Sequence, residues 1–361
     1  MTGGSFVKSK KNAASIKRIL LTALSVVLAI ILVVLILLTA YMESMLNKIN
    51  RNPDDSTMSS QDYEDFLTSN TETMPPDFTG ETPDPSDVNW DVNEGPVEDT
   101  EHIINIMLIG QDRRPGEGRQ RSDVMLLCTI NTDTKELTMT SFMRDMYVPI
   151  PGYRDNKMNA DYAFGGMKLL NKVLENNFGI HVDGNVEVDF NGFIDIIDLI
   201  GGVDIELSQS EANYMNKFGC SGIHAGWNNL NGFEALTHAQ NRTVGNGDFS
   251  RTERQREVIS AVLKKCKTMS LTQVNNLLSK MLSMITTDLS NKEIMNYAAE
   301  LFPLLKNLEI KNQQIPAAGT FKDAYFSHAG AVLLPDLQAN RDILKEYVGE
   351  FPTESTEQTT K

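Results

Sequence analysis

The chain has 361 residues and a formal net charge of −15, and 41% of its residues are hydrophobic. The acidity is uneven, because residues 1–18 carry +5, residues 43–101 carry −14 and the remaining residues 102–361 carry −6. The acidic balance argues against a nucleic-acid partner. Its three cysteines (Cys128, Cys220, Cys266) allow at most one disulfide and show no metal-ligand spacing.

Residues 19–41 are an uncharged run of 23 residues, dominated by Leu, Ile, Val and Ala. A bilayer core is spanned by roughly 20 helical residues, so this run predicts one transmembrane helix. The alternative is a cleaved signal peptide, whose apolar stretch is about 7–15 residues and therefore shorter. The basic stub before the run stays on the cytoplasmic side. We therefore expect a retained signal-anchor in the cell membrane, with the rest of the chain extracellular.

The remaining sequence divides by composition. Residues 42–100 are rich in Asp, Glu, Pro, Ser and Thr, which predicts a disordered extracellular linker. Residues 101–350 carry alternating strand and helix patterns and are expected to form one extracellular domain. Residues 351–361 have the composition of a disordered tail.

The elements of the domain follow from apolar periodicity, with turn residues between them. Four strands are predicted in the first half: Ile103–Ile109, Val124–Asn131, Leu137–Met143 and Val186–Phe190, with a fifth at Val203–Leu207. Helices are predicted at Gly166–Phe178, Phe193–Ile200, Asn231–Asn241, Arg251–Lys267, Thr272–Thr286, Lys292–Lys306 and Asp336–Val348. This order indicates an α/β fold with a mixed central β-sheet sandwiched by helices, preceded by one transmembrane helix.

Charged residues cluster at the ends of the first three strands: Asp112 and Arg114 after the first, Arg121 and Asp123 before the second, Arg144 and Asp145 after the third. Ligands of open α/β sheets bind in crevices beyond strand ends, so this placement predicts a site. For any single residue of the set, an ordinary surface charge is the alternative.

A second cluster lies in residues 247–256. Ser250 and Glu253 fit a capping box, which predicts a helix with Arg251 in its first turn. Arginine is unfavourable there unless an anion such as phosphate binds the helix N-terminus. Gln255 lies one turn further on the same face. The neighbouring Arg254 and Arg256 fit an exposed basic face.

Competing chemistries lack their motifs. The five histidines show no H-E-x-x-H spacing, and the chain has no G-x-S-x-G elbow and no phosphate-binding loop with a lysine. A zinc hydrolase, an α/β-hydrolase and a P-loop enzyme are therefore not indicated.

Residues 105–262 carry a series of short motifs, in the order Gly110-x-Asp112-x-Arg114, Arg121-Ser-Asp123, Phe142-Met-Arg144-Asp145, Lys157-Met-Asn159, Val188-Asp-Phe190, Leu230-Asn-Gly-Phe-Glu-Ala-Leu236 and Gly247-Asp-Phe-Ser-Arg251. With these motifs the sequence resembles the LytR–CpsA–Psr family of membrane-anchored cell-wall phosphotransferases. We assign no role to Lys157-Met-Asn159, for which a structural turn is the alternative.

The resemblance implies an LCP-like αβα domain and an enzyme that transfers a polyprenyl-pyrophosphate-linked glycopolymer, of teichoic acid or capsule type, to peptidoglycan. It also implies that Asp112 and Asp123 hold Mg²⁺ or Mn²⁺. Asp112, alone or with Asp248, is the expected general base, and Arg144 is expected to stabilise transition-state charge. The residues implied around the pyrophosphate are Arg114, Arg121, Arg144, Arg242, Arg251 and Gln255, with Asp248 supporting them.

One position departs from the family. Where the family usually has Arg-x-Arg, this chain reads Gln240-Asn241-Arg242, so the expected phosphate pocket has one cation fewer, unless Arg254 replaces it. Two alternatives therefore stay open beside the transferase. One is a non-enzymatic sensor of lipid-linked wall precursors, and the other is a pyrophosphohydrolase that uses water as the acceptor.

Overall fold

The structure is a computed structural model that describes residues 37, 39–51, 55–69, 73–90, 102–112, 118–301, 303–304 and 307–348. The chain divides into two compact units, Met1–Lys48 and Ile49–Lys361. In the first unit, residues 39–46 are helical. None of the described helices is long and apolar enough to cross a bilayer. The predicted stub, the tail and all but four residues of the predicted span at 19–41 lie outside the described residues.

Part of the predicted linker packs within the second unit. Helix α1 (Ser60–Ser69) places Tyr63 and Phe66 edge-on against Phe164, with ring centroids 5.1 and 4.9 Å apart. Further along, the Trp90 indole donates to Asp155 Oδ2 at 2.6 Å. For these residues the structure corrects the prediction of a disordered linker. Burial of the aromatic side chains offsets the entropy lost on ordering, although the surrounding composition is polar.

Among the described residues, six strands form the central mixed sheet: β1 (Ile103–Gln111), β2 (Ser122–Asn131), β3 (Glu136–Phe142), β6 (Gly184–Asp189), β9 (Ile285–Thr287) and β10 (Glu309–Ile315). Their spatial order is β10-β3-β2-β1-β6-β9. The β1–β2, β2–β3 and β6–β9 pairs are antiparallel, whereas β1–β6 and β3–β10 are parallel. Three further antiparallel pairs of described strands lie outside this sheet: β4 (Tyr147–Val148) with β5 (Asn156–Lys157), β7 (Val203–Leu207) with β8 (Gly226–Leu230), and β11 (Phe321–Phe326) with β12 (Gly330–Pro335).

The helices that follow α1 are α2 (Met158–Phe178), α3 (Phe190–Leu199), α4 (Gln209–Lys217), α5 (Gly232–Ala239), α6 (Gly247–Lys267), α7 (Leu271–Met281), α8 (Asn291–Leu301) and α9 (Leu337–Val348). Short 3₁₀ turns lie at Pro85–Asp87 and Leu282–Met284. Local sequence sets several of their ends. A capping box of Asn231 with Glu234 starts α5, and Gly179 ends α2 in the left-handed conformation, φ 67°.

Helices cover both faces of the sheet. Met107 of β1 and Leu127 of β2 face α2, whose Leu170 and Phe178 are fully buried in the same core cluster. Leu126 of β2 belongs instead to a cluster with side chains of α6 and α8 on the opposite face. Successive residues of a strand point to opposite faces, so the nearly continuous apolar strands fit a sheet buried on both sides. The predicted mixed α/β sandwich is confirmed.

Several elements differ from the prediction. α2 begins at Met158, eight residues before the predicted start, and is kinked at Gly165 and Gly166. The helix predicted to run to Thr286 ends at Met281, and residues 285–287 join the sheet as β9. Helix α4 and strands β10, β11 and β12 were not predicted. The sequence of β10, Glu-Ile-Lys-Asn-Gln-Gln-Ile, has no apolar pattern from which a strand could be predicted. Its place in the sheet comes from its pairing with β3.

Candidate functional site

The charged residues that end the first three strands meet at one edge of the sheet. Since β1 and β3 both run antiparallel to β2, the end of β1, the start of β2 and the end of β3 share that edge. Gln111 pairs with Ser122, and the register shift beside this pair leaves Asp123 as the extra residue of a β-bulge. Such bulges re-aim a side chain. Asp112 follows β1 directly, and Arg144 follows β3 by two residues.

Arg144 lies among three carboxylates. Its Nη1 donates to Asp123 Oδ1 at 2.7 Å, and its Nε lies 3.6 Å from Asp145 Oδ2 and 3.8 Å from Asp248 Oδ1. Burial disfavours the charged form of Arg144, but the carboxylates of Asp145, Asp248 and Asp123 outweigh this effect and raise its pKa. The guanidinium is thus permanently charged and held in place, with its side chain 18% exposed.

Asp248 is the point at which three arginines converge. It lies in the first turn of α6, where Arg251 Nη2 donates to its Oδ2 at 2.9 Å. The Nε atoms of Arg242 and Arg144 lie 3.6 and 3.8 Å from its Oδ1. Burial raises the pKa of Asp248, and the charges of Arg251 and Arg144 oppose that rise. These residues come from three separate parts of the chain, so only the fold brings them together.

The start of α6 differs from the prediction. The helix begins at Gly247, so Ser250 lies inside it and accepts a hydrogen bond from the backbone N–H of Asn246 at 2.8 Å. The predicted capping box of Ser250 with Glu253 is therefore wrong. Arg251 is nevertheless within the first two turns and only 2% exposed, and burial lowers its pKa to about 10. It remains protonated at neutral pH.

Two guanidinium donors in this cluster are buried without a hydrogen bond. Among the described residues, neither Arg144 Nε nor Arg251 Nε has a hydrogen-bond acceptor. A buried, charged donor that makes no hydrogen bond carries the cost of its desolvation. A ligand with several anionic oxygens would supply acceptors to both groups at once, as phosphates do for arginine. The geometry therefore fits an anion-binding site.

An apolar cavity of about 560 Å³ adjoins the cluster. The charged and amide side chains in its lining are Asp112, Asp123, Gln240, Arg242, Arg251 and Gln255. Most of its remaining wall is aliphatic or aromatic, and includes Val124 of β2, Val188 of β6 and Phe193 of α3. A ligand with a charged group and a long apolar portion matches this distribution of polarity.

The predicted pyrophosphate residues do not all lie in this cavity wall. Arg242, Arg251 and Gln255 line it, and Arg144 reaches the same cluster through Asp248. Arg121 instead places its guanidinium carbon 4.7 Å from the centre of the Phe66 ring on α1. Arg114 lies outside the described residues.

Arg254 does not compensate for the missing arginine at position 240. Its Nε donates to Glu211 Oε1 at 2.8 Å, and its terminal nitrogens donate to the carbonyls of Asn241 and Val244 at 3.0 and 2.9 Å. It is 6% exposed, so the prediction of an exposed basic face is wrong for it. The same holds for Arg256, which is 8% exposed. Gln240 itself is exposed at the end of α5 and lines the cavity with its neutral amide.

The motif that contains Lys157 does not by itself indicate a role for this residue. The structure places its Nζ 3.5 Å from Asp145 Oδ1, with the lysine side chain 9% exposed. Lys157 pairs with Tyr147 across the β4–β5 ladder, which fixes its backbone next to the end of β3. Lys157 thereby holds the carboxylate that faces Arg144. The motif marks Lys157 as a residue of interest, but its ion-pair partner Asp145 is known only from the fold.

Asp112 and Asp123 are the carboxylates available to a divalent cation. Both line the cavity, although Asp123 already shares one oxygen with Arg144. Among the described residues, no group of three or more His, Cys, Asp or Glu side chains could hold a metal ion. Mg²⁺ commonly uses one or two carboxylates together with substrate phosphates and water. The two aspartates therefore fit a cation whose remaining ligands come from a phosphate-bearing substrate.

Curated relatives cover most of the folded region. The regulatory protein MsrR of Staphylococcus aureus is 29% identical over 259 residues, covering 71% of this chain and 77% of MsrR. The polyisoprenyl-teichoic acid–peptidoglycan teichoic acid transferase TagU of Bacillus anthracis is 33% identical over 219 residues, covering 60% of this chain and 70% of TagU.

Solved structures share the fold. TagT bound to LIIa-WTA has a TM-score of 0.58 and 28% identity, covering 69% of this chain and 92% of TagT. TagT with bound octaprenyl pyrophosphate lipid has a TM-score of 0.54 and 27% identity, with the same coverage. The family model described as the LytR_cpsA_psr family matches residues 67–343. The chain therefore belongs to the LytR–CpsA–Psr family.

Proposed function

We propose that this protein transfers a polyprenyl-pyrophosphate-linked glycopolymer, of teichoic acid or capsule type, to a sugar hydroxyl of peptidoglycan. The observation that carries the proposal is the cluster of Arg144, Arg242 and Arg251 around Asp248, next to the apolar cavity. This combination fits a donor that has a pyrophosphate at one end of a long apolar chain. The names of TagU and of the lipid-bound TagT structure support the same donor class.

In the proposed complex, the polyprenyl chain fills the apolar cavity and the pyrophosphate lies against the arginines. The buried Nε donors of Arg144 and Arg251 would then gain phosphate oxygens as acceptors. Arg242 is 48% exposed and can move toward the ligand at little cost, and Gln255 adds a neutral donor from the next turn of α6. Binding would relieve the desolvation cost of this cluster.

The reaction is an in-line displacement at the phosphorus that carries the glycopolymer. The acceptor hydroxyl oxygen bonds to that phosphorus, the bond from the phosphorus to the bridging oxygen breaks, and polyprenyl phosphate leaves. The hydroxyl proton passes to a carboxylate, either Asp112 or Asp248. Burial raises the pKa of Asp248, which makes this carboxylate a better proton acceptor than an exposed one. Arg144 and Arg251 neutralise charge on the phosphoryl oxygens, the main requirement of phosphoryl transfer.

Asp112 and Asp123 are the residues that would hold a Mg²⁺ or Mn²⁺ ion. A divalent cation there would supply charge neutralisation to the phosphate oxygens. Asp123 would then contact both that ion and Arg144, whose Nη1 donates a hydrogen bond to Asp123 Oδ1 at 2.7 Å.

The proposed location is the outer face of the cell membrane, with the apolar run at residues 19–41 as a single-span anchor and the N-terminus in the cytoplasm. The anchor would keep the domain in the membrane that holds the lipid-linked donor. Encounter between protein and donor then becomes a search within two dimensions.

The test is replacement of Arg144. The Arg144→Ala and Arg144→Lys proteins are incubated with a polyprenyl-pyrophosphate oligosaccharide and peptidoglycan, and attached glycan and released polyprenyl phosphate are both measured. Loss of the arginine should lower transfer by about 100-fold or more, and Lys should restore little because it lacks the planar fork. Arg154→Ala, an exposed arginine elsewhere, serves as control. Undiminished transfer by Arg144→Ala would refute the proposal.

Gln240 favours a second candidate, a non-enzymatic sensor that binds lipid-linked wall precursors. The cavity lining lacks the charge that the family usually has at this position. A sensor would retain the donor intact with Mg²⁺ present, whereas the proposed enzyme releases polyprenyl phosphate and attaches glycan. Release of polyprenyl phosphate with no attached glycan would instead indicate hydrolysis by water.

A further inference from the structure

A second cleft lies on the other side of helix α6. Its volume is about 500 Å³, and its lining includes Ser260 and Glu253 of α6, Asn312 of β10 and Trp227 of β8. The first cavity is lined by Arg251, Gln255, Val258 and Val262 of the same helix. At 100° per residue these two sets fall on opposite faces, so α6 separates the two sites by about one helix diameter, roughly 10 Å.

Trp227 is the unusual member of this lining. Its side chain is 62% exposed, on a strand whose Leu230 is fully buried. Trp227 and Leu230 point to opposite faces of the strand, so the indole lies on the outer face beside a polar cleft, where it is available to a ligand. An indole offers a flat apolar face together with an N–H donor. Pyranose rings match such a surface, because one face of the ring is formed by C–H groups and its rim carries hydroxyls.

The charges of the cleft favour an uncharged ligand. Of the three cationic side chains in the described lining, Arg254 is bonded to Glu211 and to two backbone carbonyls, and Arg256 donates to Ser141 Oγ at 2.7 Å. Lys264 is exposed. The lining also includes four carboxylates: Asp204, Glu211, Glu253 and Glu257. A polyanion would meet this net negative surface unfavourably, whereas neutral hydroxyl and acetamido groups can donate to carboxylates and accept from Asn312.

We propose that the cleft between β8 and α6, with Trp227 as its aromatic platform, binds a neutral amino-sugar glycan strand. This inference rests on the proposed function in one respect, because it makes the glycan the acceptor. A strand seated in the cleft lies about one helix diameter from the arginine cluster. It can reach that cluster around the N-terminal end of α6, where Ser250 lines the cleft and Arg251 lines the cavity.

The test uses the two tryptophans of the chain, Trp90 and Trp227. In the full-length Trp90→Phe protein in detergent micelles, Trp227 is the sole indole. We expect a saturable change in its fluorescence when a β-1,4-linked N-acetylglucosamine tetramer is added without any donor. The reciprocal Trp227→Phe protein retains Trp90 and should show no change. No response in the first protein, or an equal response in the second, would overturn the proposal.

Two further arms define the ligand and its role. Poly(glycerol phosphate) in place of the neutral tetramer should give no saturable response, and tighter binding of this polyanion than of the tetramer would contradict the charge argument.

In transfer assays, Trp227→Ala should raise KM for the glycan acceptor about tenfold and leave KM for the donor unchanged. The matched control is Phe233→Ala, which removes an aromatic side chain that is 48% exposed and lies outside the cleft lining. Glycan binding without transfer would refute the proposed enzyme while leaving the binding site in place.

Discussion

Asp161 on α2 is a carboxyl group buried in the apolar core. It is 0% exposed, and neither of its side-chain oxygens makes a hydrogen bond of normal geometry with the described residues. Burial raises its pKa well above the ordinary value of 3.8, and the backbone N–H of Tyr162 opposes that rise only in part. The folded protein therefore holds this carboxyl protonated at pH values at which the unfolded chain has lost the proton.

The sign of the pH effect follows from proton uptake. Between pH 3.8 and the folded-state pKa, the native state binds one proton more than the unfolded state at Asp161, so stability falls as pH rises. Each pH unit in that window costs about 1.4 kcal/mol. Asp161→Asn keeps the shape of the side chain and removes the titration. We expect the variant to be more stable than the native protein at pH 7 and less so at pH 5, because the difference grows by up to about 1.4 kcal/mol per pH unit below the folded-state pKa.

Urea unfolding of the full-length protein in detergent micelles at pH 5 and pH 7.5 would measure both differences. Asp195→Asn replaces an exposed carboxyl on α3 and should change stability little at either pH. The expected result is a stability gain for Asp161→Asn that grows with pH. Equal or lower stability of the variant at pH 7.5 would contradict a raised pKa of Asp161 in the folded protein.

Three other substitutions test separate contacts. Phe66→Ala removes the ring that packs on Phe164 and lies under Arg121, so the unfolding free energy should fall by about 2 kcal/mol, and Phe66→Tyr should restore it. Burial lowers the pKa of His328, whose Nε2 lies 2.9 Å from the Asp155 carbonyl. Below about pH 6.5 this histidine becomes protonated in the unfolded chain, whereas in the native state it stays neutral to lower pH. The free energy of unfolding therefore decreases as pH falls. Melting curves at pH 7.5 and 5 should therefore show a smaller loss for His328→Gln than for the native protein. Gln240→Arg adds a cation to the cavity lining and should lower KM for the donor by about three- to tenfold; an unchanged KM would separate this position from pyrophosphate binding.

The sequence determined the elements whose signals are local. The ends of β1, β2 and β3 were each predicted to within two residues, because a strand buried on both faces needs apolar side chains throughout. The placement of Asp112 and Arg144 beyond strand ends followed from the same runs. The ordered motifs were specific enough to predict the family.

The partners of those charges depended on tertiary structure. Arg251 and Arg254 lie on one helix three residues apart, yet one faces Asp248 and the other is enclosed by Glu211 and two carbonyls. Sequence spacing gives the face of a helix but not what lies opposite, since those atoms belong to distant segments. The failed capping box at Ser250 also concerns contacts that the local sequence does not give: Arg254 donates to the carbonyls of Asn241 and Val244 in the preceding loop, and the helix starts at Gly247.

The linker and the last strands also depend on tertiary contacts that the local sequence does not reveal. The sequence of residues 42–100 indicated disorder because its average composition is polar, and composition does not reveal that a few aromatic side chains meet an apolar surface formed elsewhere. The sequence of β10 has no strand pattern, and its pairing with β3 places it in the sheet. The sequence alone thus determined which segments are apolar and which motifs carry chemistry. The tertiary structure decided which arginines surround Asp248, and it placed an apolar cavity beside them, because both depend on contacts between residues far apart in the chain.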